Sequence, residues 1–261
     1  MLASRLSVAG FVAADDEASE LATAASGDRA LLEALVSRRL GGEPLAWITG
    51  STVFCGATIR VDPGVYVPRW QSEPLVRRAR GRLPVGGAAI DLCTGSGAVA
   101  KVLAADRSPA RVVASEIDGR AARCASANGV EVYRGDLFAP LPRGLAASVD
   151  VVVGIVPYVP TPALGQLPRD TLAFESRRSY DGGGDGTDVL RRVIDESPRF
   201  LRTGGALLLE LGGDQAAVLT DVLEWQGFVE VEVLADEDGD VRGVEATWGG
   251  GGASSSTGRF G

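Results

Sequence analysis

Apolar residues recur at helical spacing over residues 1–40, with Leu21 beside Ala24 and Ala25 and then Leu31, Leu32, Leu35 and Val36. The pattern stops at Gly41-Gly42, a glycine helix stop. From Glu43 to Pro68 the period shortens. Ala57–Val61 alternates, Asp62-Pro63-Gly64 is a turn signal, and Val65-Tyr66-Val67 is extended, which predicts a hairpin linking two parts of the chain. A helix starting at Gln71 or Ser72 then carries Leu75, Val76 and the arginines 77, 78, 80 and 82, whose charges read as a solvated face.

Beyond Pro84 short apolar runs alternate with helical stretches, the pattern of a parallel sheet covered on both faces. Ile90-Asp91-Leu92 is the first strand and helix 96–105 follows. Strand Arg111–Ser115, helix 119–127 and strand Val130–Tyr133 come next. Asp150–Val153 is an unbroken apolar run suited to a central strand. An irregular stretch, 154–182, precedes helix 187–201, strand Ala206–Leu211 and helix 214–225. Phe228–Leu234 and Val241–Trp248 close the series as a hairpin turned at Asp236–Asp240. The expected divisions are a helical part over 1–50, a bridging hairpin over 51–68, an α/β domain over 69–248 and a flexible Gly/Ser tail over 249–261.

Composition narrows the chemistry. The 261 residues contain no histidine, which excludes Ser-His-Asp and Cys-His mechanisms, and Cys55, Cys93 and Cys124 form no C-x-x-C pair, so no metal site is expected. The net charge of −8 opposes direct binding to nucleic acid. No apolar run is long enough for a membrane span and no leader precedes the first helix, so a cytoplasmic protein is expected. Lys101 is the single lysine among abundant arginine, alanine and glycine, a coding bias of GC-rich bacteria.

Chemistry gathers where the first strand meets the glycines. Cys93-Thr94-Gly95-Ser96-Gly97 lets the backbone approach a ligand and aims helix N–H groups at it, so a nucleotide-like cofactor is expected. Gly95–Ala100 also fits the dinucleotide fingerprint, which keeps a nicotinamide enzyme open. Asp91, ending the strand, would repel a pyrophosphate and suits a cationic ligand such as S-adenosyl-L-methionine. Glu116 is placed to accept ribose hydroxyls, with Asp118 as the alternative and an N-cap as the plain role of either. Gly135-Asp136-Leu137-Phe138 offers a carboxylate and an apolar edge suited to adenine, or a surface turn. Ile155-Val156-Pro157-Tyr158 arrives at the same sheet edge from the fourth strand.

These motifs, taken in order with Arg39–Gly50 and Val67-Pro68-Arg69, resemble the release-factor glutamine N5-methyltransferase family over residues from about 10 to 248, and an actinobacterial branch of it in particular. The resemblance implies a class I methyltransferase fold: a seven-stranded, mostly parallel sheet whose last hairpin is antiparallel, preceded by a small helical substrate-recognition part. It further implies S-adenosyl-L-methionine as cofactor and a protein or peptide glutamine, as in a release factor, as methyl acceptor. Oligomeric state stays open.

On this resemblance Cys93 to Gly97, Glu116 and Leu137 line the cofactor, and Arg69, Gln71 and Glu73 lie near the mouth of the site. The family's Asn-Pro-Pro-Tyr loop receives the two hydrogens of the target amide on its asparagine side chain and the next carbonyl. Here Ile155 replaces the asparagine and Val156 the first proline, while Pro157 and Tyr158 remain. An isoleucine accepts no hydrogen bond, so a methyltransferase retargeted to a small molecule or modified peptide, or a non-catalytic cofactor-binding relative, stands beside the first expectation. Glu175 and Asp181–Asp185 read as a solvated acidic loop.

Overall fold

The computed structural model describes residues 2–105, 111–167 and 169–251. Four helices open the chain: α1 (Leu2–Val8), α2 (Ala14–Ala25), α3 (Arg29–Leu40) and the short α4 (Leu45–Thr49). Asp28 caps α3 by accepting the Leu31 N–H at 3.0 Å. Leu6, Leu21, Ala25, Leu35 and Val36 form a small core, to which α4 contributes Ile48. Its neighbours Ala46 and Trp47 belong instead to the core beneath the sheet. Helix α4 therefore joins the two parts, and Trp47 Nε1 donates to the Val65 carbonyl at 2.9 Å.

The bridging hairpin is built one strand earlier than expected. β1 (Ser51–Phe54) pairs antiparallel with β2 (Ala57–Arg60). Cys55 and Gly56, with φ of 48° and 76°, make the two-residue turn whose left-handed backbone matches strand twist. Val65–Val67, expected as the return strand, remains outside both sheets, with Val65 buried. Asp62-Pro63-Gly64 does reverse the chain, the Val65 N–H donating to the Asp62 carbonyl at 3.1 Å.

The expected seven-stranded sheet is present among the described residues. β3 (Ala88–Leu92), β4 (Arg111–Glu116), β5 (Glu131–Arg134), β6 (Val149–Gly154) and β7 (Leu201–Glu210) run parallel, while β9 (Val241–Trp248) lies antiparallel between β7 and β8 (Phe228–Ala235). The order β5-β4-β3-β6-β7-β9-β8 puts β3 and β6 at the switch point, where the connections turn to opposite sides. Strand periodicity sorts the apolar residues. Ile90, Leu92, Val152 and Leu207 face one core, whereas Ala89, Val151, Val153 and Leu208 face the other.

Helix α5 (Glu73–Arg82), α6 (Ala98–Ala105), α7 (Gly119–Ala127), α9 (Asp188–Glu196) and α10 (Gln215–Gln226) cover the sheet, and α8 (Arg169–Phe174) lies in the long loop. The helix expected over 187–201 ends at Glu196, because Pro198 follows in a 3-10 turn and Leu201 already begins β7. The arginines of α5 are more than a solvated face: Arg78 and Arg82 pair with Glu245 of β9, and Arg77 pairs with Glu73. Of the expected tail, residues 252–261 lie outside the described residues.

Candidate functional site

One cavity opens at the carboxyl edge of β3, β4 and β6, and Asp91, Cys93, Thr94, Gly95, Ser96, Glu116, Ile155, Val156, Pro157 and Tyr158 all line it. Two motifs far apart in sequence are thus one site. The glycine turn has the conformation its residues require: Cys93, Gly95 and Gly97 take φ of 55°, 57° and 83°. A Cβ on Gly95 would meet nothing within 4 Å, so this backbone faces open space. At Gly97 a Cβ would approach Val130 Cγ2 to 2.8 Å, which shows that Gly97 serves close packing of the turn on its neighbours and does not line the cavity.

Glu116, at the end of β4, ties the turn in place. Its Oε2 accepts the Gly95 N–H at 2.8 Å and its Oε1 the Asp118 N–H at 2.9 Å. Burial raises its pKa above the ordinary carboxylate value, against the pull of these N–H groups. Asp118 is settled as the N-cap of α7, accepting from Arg120 and Ala121. Asp91 sits beneath the turn, only 1% exposed, and accepts from Thr94 Oγ1 at 2.5 Å and the Ala100 N–H at 3.1 Å. Desolvation, partly opposed by those two donors, pushes it up to about 7. Ser96 Oγ is buried with no hydrogen-bond partner among the described residues.

Across the cavity, Ile155 is half-buried and packs on the lower core, while Val156 is 2% exposed in the upper one. Tyr158 Oη donates to Glu210 Oε1 at 3.0 Å, and the Tyr158 carbonyl accepts from Gln215 Nε2 at 2.7 Å. Glu210 ends β7 and is buried. Desolvation raises its carboxyl, against the hydroxyls of Ser72 and Tyr158. The long loop folds back on this segment: the Val159 N–H donates to the Tyr180 carbonyl and the Gly182 N–H to the Val159 carbonyl, at 2.8 and 2.9 Å.

Arg69 lines the cavity, but its charge is committed. Its Nη2 donates to Glu175 Oε2 at 2.5 Å and to Tyr180 Oη at 3.1 Å, and Tyr180 Oη also donates to Glu175. Glu175 is 3% exposed and also accepts the Val67 N–H at 2.8 Å, so it is a buried clasp between the bridging segment and the long loop. The expectation of a solvated acid fails there because no charge pattern reveals a partner more than a hundred residues away. Tyr66 and Tyr180 complete this wall with their rings 5.6 Å apart.

Three further expectations need correction. Glu73 lies outside the cavity, where its carboxylate accepts the Cys55 N–H at 2.9 Å and pairs with Arg77 at 2.8 Å, holding the hairpin turn. Asp136 is exposed and pairs with Arg192 at 2.7 Å. Leu137, 4% exposed, packs in the upper core. Neither Asp136 nor Leu137 lines the cavity: β5 ends at Arg134, and the turn that follows directs Asp136 to Arg192 and Leu137 into the core. Glu210 is a functional candidate that the sequence pattern did not single out. Glu210 had a signal, an acid ending an apolar strand at the same edge as Asp91.

The order of the sheet, its antiparallel closing pair and the glycine turn facing Glu116 define a class I S-adenosylmethionine-dependent methyltransferase. The donor set suits that cofactor: an open glycine backbone, two carboxylates for a cationic, hydroxyl-rich molecule, and the orphaned hydroxyl of Ser96. Among solved structures the chain resembles a methyltransferase from Pyrococcus furiosus (TM-score 0.54, 18% identity, covering 82% of this chain and 97% of that one). It also resembles the ribosomal protein L11 methylase of Lactobacillus delbrueckii subsp. bulgaricus (TM-score 0.50, 17% identity, 73% and 84%).

No family model matches the chain. Its sequence is 38% identical over 231 residues to the release factor glutamine methyltransferase of Moorella thermoacetica, covering 84% of this chain and 79% of that one. It is 36% identical over 226 residues to that of Mycolicibacterium smegmatis, with the same coverage of each. The chain belongs to the release factor glutamine methyltransferase family.

Proposed function

We propose that the chain transfers a methyl group to the side-chain amide nitrogen of a glutamine in a peptide chain release factor. The observation that carries this reading is the single cavity joining the Gly95–Glu116 turn to the Ile155–Tyr158 loop. Bound S-adenosylmethionine supplies an electrophilic methyl on a sulfonium centre. On this reading the Gly95 backbone and Ser96 hold the cofactor, Glu116 accepts from its ribose, and Asp91 faces its cationic amino-acid end. Tyr158, braced by Glu210, presents its ring to the planar amide.

An amide nitrogen is a poor nucleophile because its lone pair is delocalised, so the work of the site is alignment and exclusion of water. No general base is required before attack, since the proton becomes acidic once the new bond forms. The absence of histidine is compatible with this chemistry. Ile155 removes one acceptor for the amide hydrogens, and losing such a partner costs on the order of a hundredfold in rate.

Ile155 also favours a second reading, methyl transfer to an acceptor that needs no hydrogen bond at that position. Mass spectrometry decides. The full chain, S-adenosylmethionine and a release factor carrying its Gly-Gly-Gln loop should yield one added methyl on that glutamine. An unmodified release factor, with another acceptor labelled from a metabolite pool, overturns the first reading. Cofactor binding by calorimetry without turnover on either acceptor overturns both.

A further inference from the structure

Four arginines gather beside the cofactor cavity. Arg120 and Arg123 lie on the first turns of α7, Arg134 ends β5, and Arg178 follows α8 in the long loop. The Arg134 guanidinium covers the Gly119 backbone, where a Cβ would sit 2.9 Å from its Cζ, and Arg120 Nη1 donates to the Pro63 carbonyl at 3.3 Å. All four side chains are exposed. Among the described residues none of them forms an ion pair, unlike Arg39, Arg69, Arg78, Arg192 and Arg202.

The nearby acids are already engaged. The Ala121 and Arg120 N–H groups, acting against burial, hold the Asp118 carboxyl below its ordinary value, with Arg120 and Arg178 adding to the effect. Glu175 is committed to Arg69. Arg120, Arg123 and Arg134 line a depression of about 450 Å³ that shares Gly64, Asp118 and Ser176 with the wall of the cofactor cavity. Gathering unpaired like charges on an otherwise acidic protein costs electrostatic energy. A complementary anion at this spot recovers it, through forks that fit carboxylates in bidentate geometry.

We propose that this arginine patch docks an acidic stretch of the protein acceptor, aspartates and glutamates on the surface that approaches the methyl-transfer cavity. The proposal rests on the reading of a protein acceptor given above. The net charge of −8 repels a long polyanion at range, which disfavours nucleic acid, whereas a short acidic segment engages only the local field. The patch adjoins the cavity, so it acts on how the acceptor arrives and stays, and leaves alignment of the reacting groups to the Ile155–Tyr158 loop.

The test is steady-state methylation of release factor by the full chain, wild type against Arg123→Glu/Arg134→Glu, at low and high salt. The KM for release factor should rise on the order of tenfold at low salt, with kcat and the calorimetric affinity for S-adenosylmethionine unchanged and the salt dependence of KM flattened. An unchanged KM and salt slope overturn the proposal. A second measurement stands apart from turnover: anisotropy of a fluorescent oligoglutamate and of an oligouridylate of equal charge. Oligoglutamate binding that is lost in the variant supports the patch even where release factor is not methylated, an outcome that would sink the functional reading alone. Tighter binding of the oligouridylate overturns the protein-segment assignment in favour of nucleic acid.

Discussion

Glu116 Oε2 accepts the Gly95 N–H at 2.8 Å, so the end of β4 holds the turn that ends β3. A single carboxylate sets the shape of the glycine turn and offers its remaining lone pairs to the cavity. Glu116→Ala removes both roles while leaving the sheet intact. Hydrogen bonds to charged groups contribute about 1.5–3 kcal/mol. Cofactor affinity measured by calorimetry should therefore fall by roughly one to two orders of magnitude. Glu116→Gln, which keeps one acceptor, should fall between wild type and the alanine variant. Equal affinity in all three proteins rejects the assignment.

Tyr158 is fixed at both ends, its hydroxyl by Glu210 and its carbonyl by Gln215. Gly182 and Gly186 close the space beneath it. A Cβ on Gly186 would meet the Tyr158 carbonyl oxygen at 2.2 Å, in a backbone with φ of 81°. Gly186→Ala should displace the Pro157–Tyr158 segment and lower kcat severely, while cofactor affinity changes little because the Gly95 turn lies across the cavity. Tyr158→Phe leaves the ring but frees Glu210, and a smaller loss of kcat is expected. Single-turnover kinetics beside calorimetry separates the two terms. A Gly186→Ala enzyme with wild-type kcat refutes the packing argument.

The succession of strands and helices and the location of the glycine turn were legible because both rest on local signals, runs such as Val151–Val153 and the spacing of Gly95 and Gly97. Pairings set by distant residues were not. Val65–Val67 looked like a strand, yet its partner groups are Trp47 and Glu175, reached only in the folded chain. Glu175 looked solvated because an acid in a long charged loop usually is, whereas Arg69 and Tyr180 bury it. Asp136 and Leu137 followed an expected strand end, but the turn after β5 aims the first outward to Arg192 and the second into the core. Sequence periodicity reports which face a residue takes, and says little about where a loop goes after the last strand residue.

The Asp91 carboxyl predicts a pH dependence with a definite sign. Its value rises from 3.8 to about 7 on folding, mainly through desolvation. Between those values the folded protein holds a proton that the unfolded chain has released, so stability falls as pH rises through this window. Burial shifts Glu116 and Glu210 in the same direction, adding to the slope at its acidic end. Melting temperatures of the cofactor-free protein should decline from about pH 4 to about pH 7, and Asp91→Asn should flatten much of that decline. A cationic ligand favours the ionised carboxylate, so affinity for S-adenosylmethionine should increase over the same range in wild type and not in the variant. A melting temperature that rises with pH contradicts the assignment.

Ile155 is the residue on which acceptor chemistry turns. It lines the cavity at the first position after β6, half-buried against the lower core, so a side chain of similar size placed there still reaches the cavity. Ile155→Asn replaces an apolar wall with an amide whose oxygen can accept a hydrogen from a target glutamine, polarising its nitrogen toward the methyl. Val156 is buried against Leu209 and Gly154, and Val156→Pro stiffens the segment without adding a polar group. The double variant should raise kcat on release factor by on the order of a hundredfold if the missing acceptor limits the wild-type rate. Cofactor affinity should stay constant, since Glu116 and Gly95 are untouched. Should turnover of release factor stay flat while cofactor affinity is retained, the wild-type cavity is tuned to a different acceptor, and Ile155 is then the residue that selects it.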